Sequence, residues 1–163
     1  MPVGRLGVWF ILLSLCAACA SHGSVHNSPD ESRPHISWEI RSGAGGDADF
    51  VCRSSQPGKA CAIPASTDKT ARLATLRLFA HSAAQPTSYL GFMRAPFLGG
   101  EVDRKLGEIN ATVAPGSRPV GTTVVDRVTS KPGKYLLSIS IDATQPNAPN
   151  SVRISQEVPV VVN

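Results

Sequence analysis

The chain has 163 residues, of which 42% are apolar and 17% are charged, and its formal net charge is +4. A chain of this length is expected to form one domain, because domains typically contain about 100–200 residues. The apolar content is that of a folded protein and excludes wholesale disorder. The charges are scattered, and Arg104 and Lys105 are the only adjacent basic residues. Because this leaves no basic stripe for a polyanion, we do not expect nucleic acid as a partner.

Residues 1–18 have the layout of an export signal. Arg5 precedes an apolar run over residues 6–18, and Ser21 ends that run. A helix rises about 1.5 Å per residue and needs about 20 apolar residues to cross a bilayer, so the run is too short to span one. The segment 1–18 is therefore predicted to be a signal peptide.

The end of this signal resembles the lipobox of bacterial lipoproteins. The small residues Ala17 and Ala18 stand immediately before Cys19, and the resemblance implies cleavage there and lipidation of Cys19. Ala20, rather than Asp, follows the cysteine, which by the same resemblance implies the outer membrane. Three acyl chains would anchor the protein nearly permanently in the bilayer, since each buried CH₂ contributes about 0.8 kcal/mol. We expect a lipid-anchored protein that faces the periplasm.

Two other interpretations of the signal remain open. Cys16 is a rival lipidation site, although the residue before it, Leu15, is large where the signal peptidase prefers small side chains. Alternatively, ordinary cleavage at Ala18 or Ala20 would release an unlipidated protein into the periplasm.

Residues 20–35 are polar, contain two prolines and show no apolar periodicity. We interpret residues 19–35 as the lipidated N-terminus and a flexible tether with a reach of about 20–25 Å. His22, His26 and His35 lie in this stretch. We interpret them as solvated linker residues rather than as a metal-binding tract.

The sequence predicts one β-sandwich domain over residues 36–163. Apolar residues alternate with polar ones most clearly in the segments 36–40, 134–142 and 152–162, as they do in half-buried strands. Turn signals recur about every eight to twelve residues, and no segment has the 3.6-residue apolar repeat of a capped helix. We therefore predict an all-β fold with about nine strands, little helix and two antiparallel sheets.

The PGKYLL segment at 132–137 resembles the penultimate strand of immunoglobulin-like domains. In both cases a turn leads into an apolar strand that carries an early tyrosine, here Tyr135. The resemblance implies an immunoglobulin-like sandwich. A transthyretin-like sandwich would show much the same pattern and stays an alternative.

The last predicted strand, 152–162, contains Pro159. Proline cannot donate a hydrogen bond to a sheet, so this segment is predicted to be an edge strand or to switch sheets near Pro159. An edge strand of this kind could also recruit an extended peptide by strand addition.

Cys52 and Cys61 are the two cysteines of the predicted domain. In an oxidising compartment such a pair predicts a disulfide, and the Pro-Gly turn signal between them predicts a hairpin that brings their strands together. A metal site would need further ligands, and the spacing is not the Cys-X-X-Cys spacing of a redox-active pair. We expect neither a metal nor another cofactor.

No catalytic constellation emerges from the sequence. His81 is the only histidine of the predicted domain, and there is no Gly-X-Ser-X-Gly elbow, so we interpret His81 as a surface residue rather than a general base. Asp47 and Asp49 lie in a glycine-rich turn, where Asp is expected for turn geometry alone. They lack the further ligands of a calcium loop. We therefore do not expect an enzyme.

The segment 76–98 has apolar residues on both faces of successive strands. One interpretation is a central pair of strands, or a loop that folds back over the end of the sandwich. The other is a partner-binding surface, because interfaces favour aromatic residues and Arg. The candidate partner-binding residues are Phe79, Tyr89, Phe92, Phe97, Arg77 and Arg94.

Together these patterns favour a non-catalytic protein-interaction or assembly module of the cell envelope, which contacts the lipid bilayer and an envelope protein. A binding module for a glycan or peptide and a purely structural envelope domain are the alternatives.

Overall fold

A computed structural model describes residues 32–43, 50–54, 60–100 and 102–163. The predicted signal peptide 1–18, both lipidation candidates, Cys16 and Cys19, and the turn residues Asp47 and Asp49 lie outside the described residues. Every regular element within the described ranges is a strand. None of the described residues belongs to a helix that is long and apolar enough to cross a membrane.

Nine strands form two packed sheets. The strands are β1 (Ile36–Gly43), β2 (Phe50–Arg53), β3 (Cys61–Ile63), β4 (Leu73–Ala80), β5 (Thr87–Arg94), β6 (Lys105–Val113), β7 (Val120–Arg127), β8 (Gly133–Thr144) and β9 (Val152–Val162). One sheet has the order β2-β1-β4-β7 and the other β3-β9-β8-β5-β6. Neighbouring strands are antiparallel, apart from β3, which runs parallel to β9. The predicted all-β sandwich is confirmed.

The core lies between the two sheets and is filled by alternate residues of their strands. In β1, Ile36, Trp38 and Ile40 are buried, and the residues between them are half-buried. β8 follows the same rule, and its buried residues are Leu137, Ile139, Ile141 and Ala143. Burial of one large aliphatic side chain contributes about 1.5–3 kcal/mol. The predicted period of two thus fixes which face of each strand turns inward.

The strand order is that of an immunoglobulin-like sandwich. β4 and β7 pair in one sheet, while β9, β8, β5 and β6 follow one another in the other, as strands B and E and strands G, F, C and C′ do in that fold. Tyr135, at the start of β8, donates a hydrogen bond from its hydroxyl to the carbonyl of Lys131 over 2.8 Å. This contact is similar to the tyrosine corner of immunoglobulin-like domains.

Cys52 and Cys61 form a disulfide-capable pair that connects the two sheets. Their Cα atoms lie 6.0 Å apart, which is a usual separation for bridged cysteines, and both side chains are buried. The predicted hairpin is wrong, because β2 pairs with β1 in one sheet whereas β3 pairs with β9 in the other. The chain passes from sheet to sheet between the two cysteines, so a bond between them links the two sheet edges.

The folded domain begins before residue 36. The amide of Ala84 donates to the carbonyl of Ser32 over 3.1 Å, and the amide of His81 donates to the carbonyl of His35 over 3.1 Å. The rings of His35 and His81 are stacked, with centroids 4.6 Å apart. The interpretation of His35 as a solvated tether residue is therefore wrong, and the chain from Ser32 onward belongs to the domain.

Candidate functional site

Two of the six candidate partner-binding residues lie in the core. Tyr89 is 1% exposed and Phe97 is 0% exposed. The hydroxyl of Tyr89 donates to the carbonyl of His81 over 2.7 Å, and burial raises the pKa of this phenol above its ordinary value. The hypothesis that these two rings are surface anchors is wrong, because both side chains point between the sheets.

Phe97 is buried because the loop after β5 folds over the end of the sandwich. Leu98 forms a bridge with Val128, and the amide of Thr129 donates to the carbonyl of Phe97 over 2.8 Å. β4 lies between β1 and β7, and β5 lies between β8 and β6. The folded-back loop of the structural interpretation is therefore observed, whereas β4 and β5 are central strands of different sheets and do not form a pair.

The other four candidates divide between opposite outer faces of the sandwich. Phe79 and Arg77 alternate with the buried residues of β4 and so face outward from the four-stranded sheet. Phe79 lies against Gly121 of the neighbouring strand. Phe92 and Arg94 belong to β5 of the five-stranded sheet. The six residues therefore do not form one patch.

A groove of about 670 Å³ crosses the outer face of the five-stranded sheet. Of the four outward-facing candidates, only Phe92 lines it, and Arg94 borders it through its contact with the Phe92 ring. β5, β6, β8 and β9 all contribute to it, and the lining residues that bear on its chemistry are Leu90, Gly91, Phe92, Lys105, Glu108, Asp142 and Arg153. Because these residues come from four strands, the groove exists only in the folded sheet.

Two glycines in the groove lining permit close packing of the strands. A Cβ at Gly91 would collide with the carbonyl oxygen of Ser140 and lie 2.6 Å from the Cα of Ile141, so β5 approaches β8 more closely than a side chain allows. The pairing of β5 with β6 shifts register between Gly91 and Met93. Gly107, opposite this irregularity, has a φ of +53°, which favours glycine, and a Cβ there would collide with the side chain of Met93.

Phe92 lies beneath two cationic side chains. The Nζ atom of Lys105 is 4.5 Å from the ring centroid, and the Cζ atom of Arg94 is 5.3 Å from it, within the range of cation–π contacts. Within the described part of the chain, neither cation is in an ion pair. The Nε atom of Arg94 is buried there without a hydrogen-bond partner. This end of the groove therefore carries uncompensated positive charge.

The opposite end of the groove holds a neutralised pair. Arg153 donates from Nε to Oδ1 of Asp142 over 2.9 Å and from Nη2 to Oδ2 over 3.2 Å. The hydrogen bond and the charge of Arg153 lower the pKa of Asp142, and the same contacts raise the pKa of Arg153. Between the two ends, Leu90 is 55% exposed. The groove thus combines an apolar centre with positive charge on one side.

Sequence reasoning missed a second concave surface, which lies around the stacked histidines. A cavity of about 460 Å³ is lined by His35, His81 and residues of the 114–119 turn. The Oγ atom of Ser37 is 2.6 Å from Nε2 of His81. Ser37 and His81 are 44 residues apart, so no local motif marks the pair. His81 directly follows β4 and is half-buried rather than fully on the surface.

No group of three or more His, Cys, Asp or Glu among the described residues is arranged to hold a metal ion. No protein-family model matches this chain, and a search of curated proteins gives no significant match.

Proposed function

We propose that this protein is a non-catalytic interaction module of a bacterial cell envelope, and that it binds a protein partner in the groove of the five-stranded sheet. The observation that carries the proposal is the pair of uncompensated cations, Lys105 and Arg94, over Phe92 and beside exposed Leu90. Binding sites usually combine an apolar surface with a few placed polar groups in volumes of about 300–1,000 Å³. Aromatic residues and Arg are also enriched in protein interfaces.

The chemistry of the groove favours an acidic, extended protein segment. An apolar side chain of the partner would cover Leu90 and Phe92, and a carboxylate would reach Lys105. Asp142 and Arg153 neutralise each other, whereas Glu108 is the remaining anion of the lining. Lys105 and Arg94 together outweigh it, so the local field attracts negative charge.

Photo-crosslinking in cells tests this binding surface. A photoreactive phenylalanine analogue replaces Leu90 in one variant and Val125 in a control, because these side chains are 55% and 59% exposed on opposite faces of the sandwich. We expect one adduct of defined mass from position 90 and none from position 125. Lys105→Glu should lower the adduct about tenfold, since an attractive charge contact becomes repulsive.

Equal adducts from both positions would contradict a specific groove. So would an adduct at position 90 that Lys105→Glu leaves unchanged, because the cation would then have no part in recognition.

We further propose that Cys19 anchors the protein in the outer membrane, with the domain facing the periplasm. The support is the small pair Ala17 and Ala18 before Cys19, which resembles a lipobox. An alkyne analogue of palmitate, supplied to bacteria that express the full chain, should label the wild type and Cys16→Ser. Cys19→Ser should lose the label and the membrane association, because a lipid anchor supplies most of the binding energy. Label that persists in Cys19→Ser but disappears in Cys16→Ser would instead assign the lipid to Cys16.

A further inference from the structure

The first half of β9 presents a free strand edge. β8 pairs with β9 over its whole length, but β3 pairs only with Val160–Val162. No other described strand pairs with β9. Within the described part of the chain, residues 152–159 therefore pair on one side alone. An unpaired edge of this length is a template for another strand.

The hydrogen bonds of Asn163, directly after β9, show which residues of the strand point their backbone groups toward the free edge. The amide of Asn163 donates to the carbonyl of Ile63 over 3.1 Å, and its carbonyl accepts from the amide of Ala65 over 2.7 Å. Alternate residues of a strand direct their backbone groups to the same side. The residues that share this outward direction on the free edge are Arg153, Ser155 and Glu157, followed by Pro159.

Pro159 limits the edge without disturbing the sheet. At position 159 the backbone nitrogen faces away from β8, so the N–H that proline lacks is not needed for pairing with β8. An edge strand tolerates proline at such a position. The free ladder therefore ends just before the segment that β3 covers. Among the residues that the structure describes, nothing pairs with the outer side of residues 152–158, which leaves seven residues for a further strand.

This edge is complementary to a second copy of itself. In an antiparallel pairing with its two-fold axis at Ser155, Ser155 faces Ser155 of the second copy. Arg153 then faces Glu157 of the second copy, and Glu157 faces its Arg153. Opposite charges directly across an antiparallel pair stabilise it. On the inward side, Val152, which is 53% exposed, would face Val158.

The two charged side chains are free to make these contacts. The side chain of Arg153 is 69% exposed although it binds Asp142, and those hydrogen bonds use Nε and Nη2 only. Nη1 remains to donate to a further carboxylate. Glu157 is exposed and is in no ion pair among the described residues. A second copy would supply a partner for Glu157 and a second carboxylate for Arg153.

We propose that the protein forms a symmetric dimer through the free edge of β9, which joins two five-stranded sheets into one continuous sheet. The two-fold interface is isologous, so the same seven residues serve both copies. The two grooves would then lie on one continuous outer face. The dimer does not depend on the partner proposed for the groove.

Cysteine crosslinking of the full chain in membranes tests the register. Ser155→Cys should give a disulfide-linked dimer after mild oxidation, because the two-fold axis places the two positions opposite each other. Ser130→Cys is the matched control, since Ser130 is also exposed but lies in the loop before β8. Equal yields from both variants would overturn the proposal.

Exchange of the charges at positions 153 and 157, in the Ser155→Cys variant, tests whether Arg153 faces Glu157 of the second copy. Arg153→Glu or Glu157→Arg alone should lower the dimer yield about tenfold, because each puts like charges opposite one another at both ends of the pair. The double exchange should restore the yield to within about twofold. Failure of restoration would overturn the register. Lys105→Glu, in the groove, should leave the yield unchanged, which separates this result from the proposed partner binding.

A proline at the axis provides a variant that keeps the fold. Ser155→Pro removes an amide that faces away from β8, so it should abolish the dimer in sedimentation of the detergent-solubilised full chain. The midpoint of its unfolding transition should equal that of the wild-type monomer, which would show that the fold is kept. A dimer that persists in Ser155→Pro would overturn pairing through this edge.

Discussion

Replacement of Phe97 by alanine is expected to destabilise the protein by about 3–5 kcal/mol. The ring is fully buried, and its removal would leave a cavity beneath the loop that closes the end of the sandwich. The contacts of that loop, the Leu98–Val128 bridge and the hydrogen bond from Thr129 to Phe97, depend on the same packing. Urea denaturation of the wild type and of Phe97→Ala measures the difference directly.

Phe92→Ala is the matched control for this substitution. Phe92 is an aromatic residue of the adjoining strand, but it is only half-buried in the groove on the outer face. We expect it to lower the free energy of unfolding by less than about 1.5 kcal/mol, since less area leaves water. It should instead weaken the adduct formed from position 90. If Phe97→Ala left the free energy of unfolding unchanged but abolished the adduct from position 90, Phe97 would be a partner-binding residue rather than a core residue.

The opposite fates of Phe92 and Phe97 show what sequence periodicity can predict. Within strands, the period of two assigned the inward faces of β1, β8 and β9 correctly, because a one-residue shift would turn every side chain to the other side. Phe97 lies in a loop between Pro and Gly residues, where no period exists. Its burial depends on Val128 and Thr129, about thirty residues along the chain, and local sequence carries no signal for such a contact.

The cysteines and His35 show a similar limit. The pairing of Cys52 with Cys61 was predicted from their being the two cysteines of the domain, and the structure brings them together, although the hairpin expected from the Pro-Gly turn signal is absent. Which strands they join depends on the pairing of β2 with β1 and of β3 with β9, and that pairing is decided by distant residues. The polar surroundings of His35 suggested a tether, whereas the stacking with His81 follows from the β1–β4 register.

One signal for the groove was present in the sequence. Gly91 stands in an alternating strand, and an isolated glycine there marks a bulge or a close backbone approach. The structure shows the close approach of β5 to β8 at this residue. The groove itself is lined by residues of four strands, so the sequence alone indicated the irregularity but not the cavity.

The removal of both cysteines is the second substitution with a large expected effect. The double variant Cys52→Ser, Cys61→Ser should lower the free energy of unfolding by roughly 2–3 kcal/mol, because the bond restricts the unfolded chain by closing a short loop. The positions are separated by nine residues, and the bond would link β2 to β3. Denaturation of the wild type and of the double variant measures this loss.

Without the two cysteines, we expect the structure around β3 to open more readily than the rest of the domain. β3 is three residues long and pairs only with the end of β9, so without the bond to β2 it has little else to hold it. We expect faster hydrogen exchange at the amides of Ala65 and Asn163, which join these strands, and unchanged exchange between β8 and β9. Two reactive thiols at Cys52 and Cys61 in the folded, unreduced protein would contradict the disulfide. Equal stability of the double variant would contradict its role in holding the two sheet edges together.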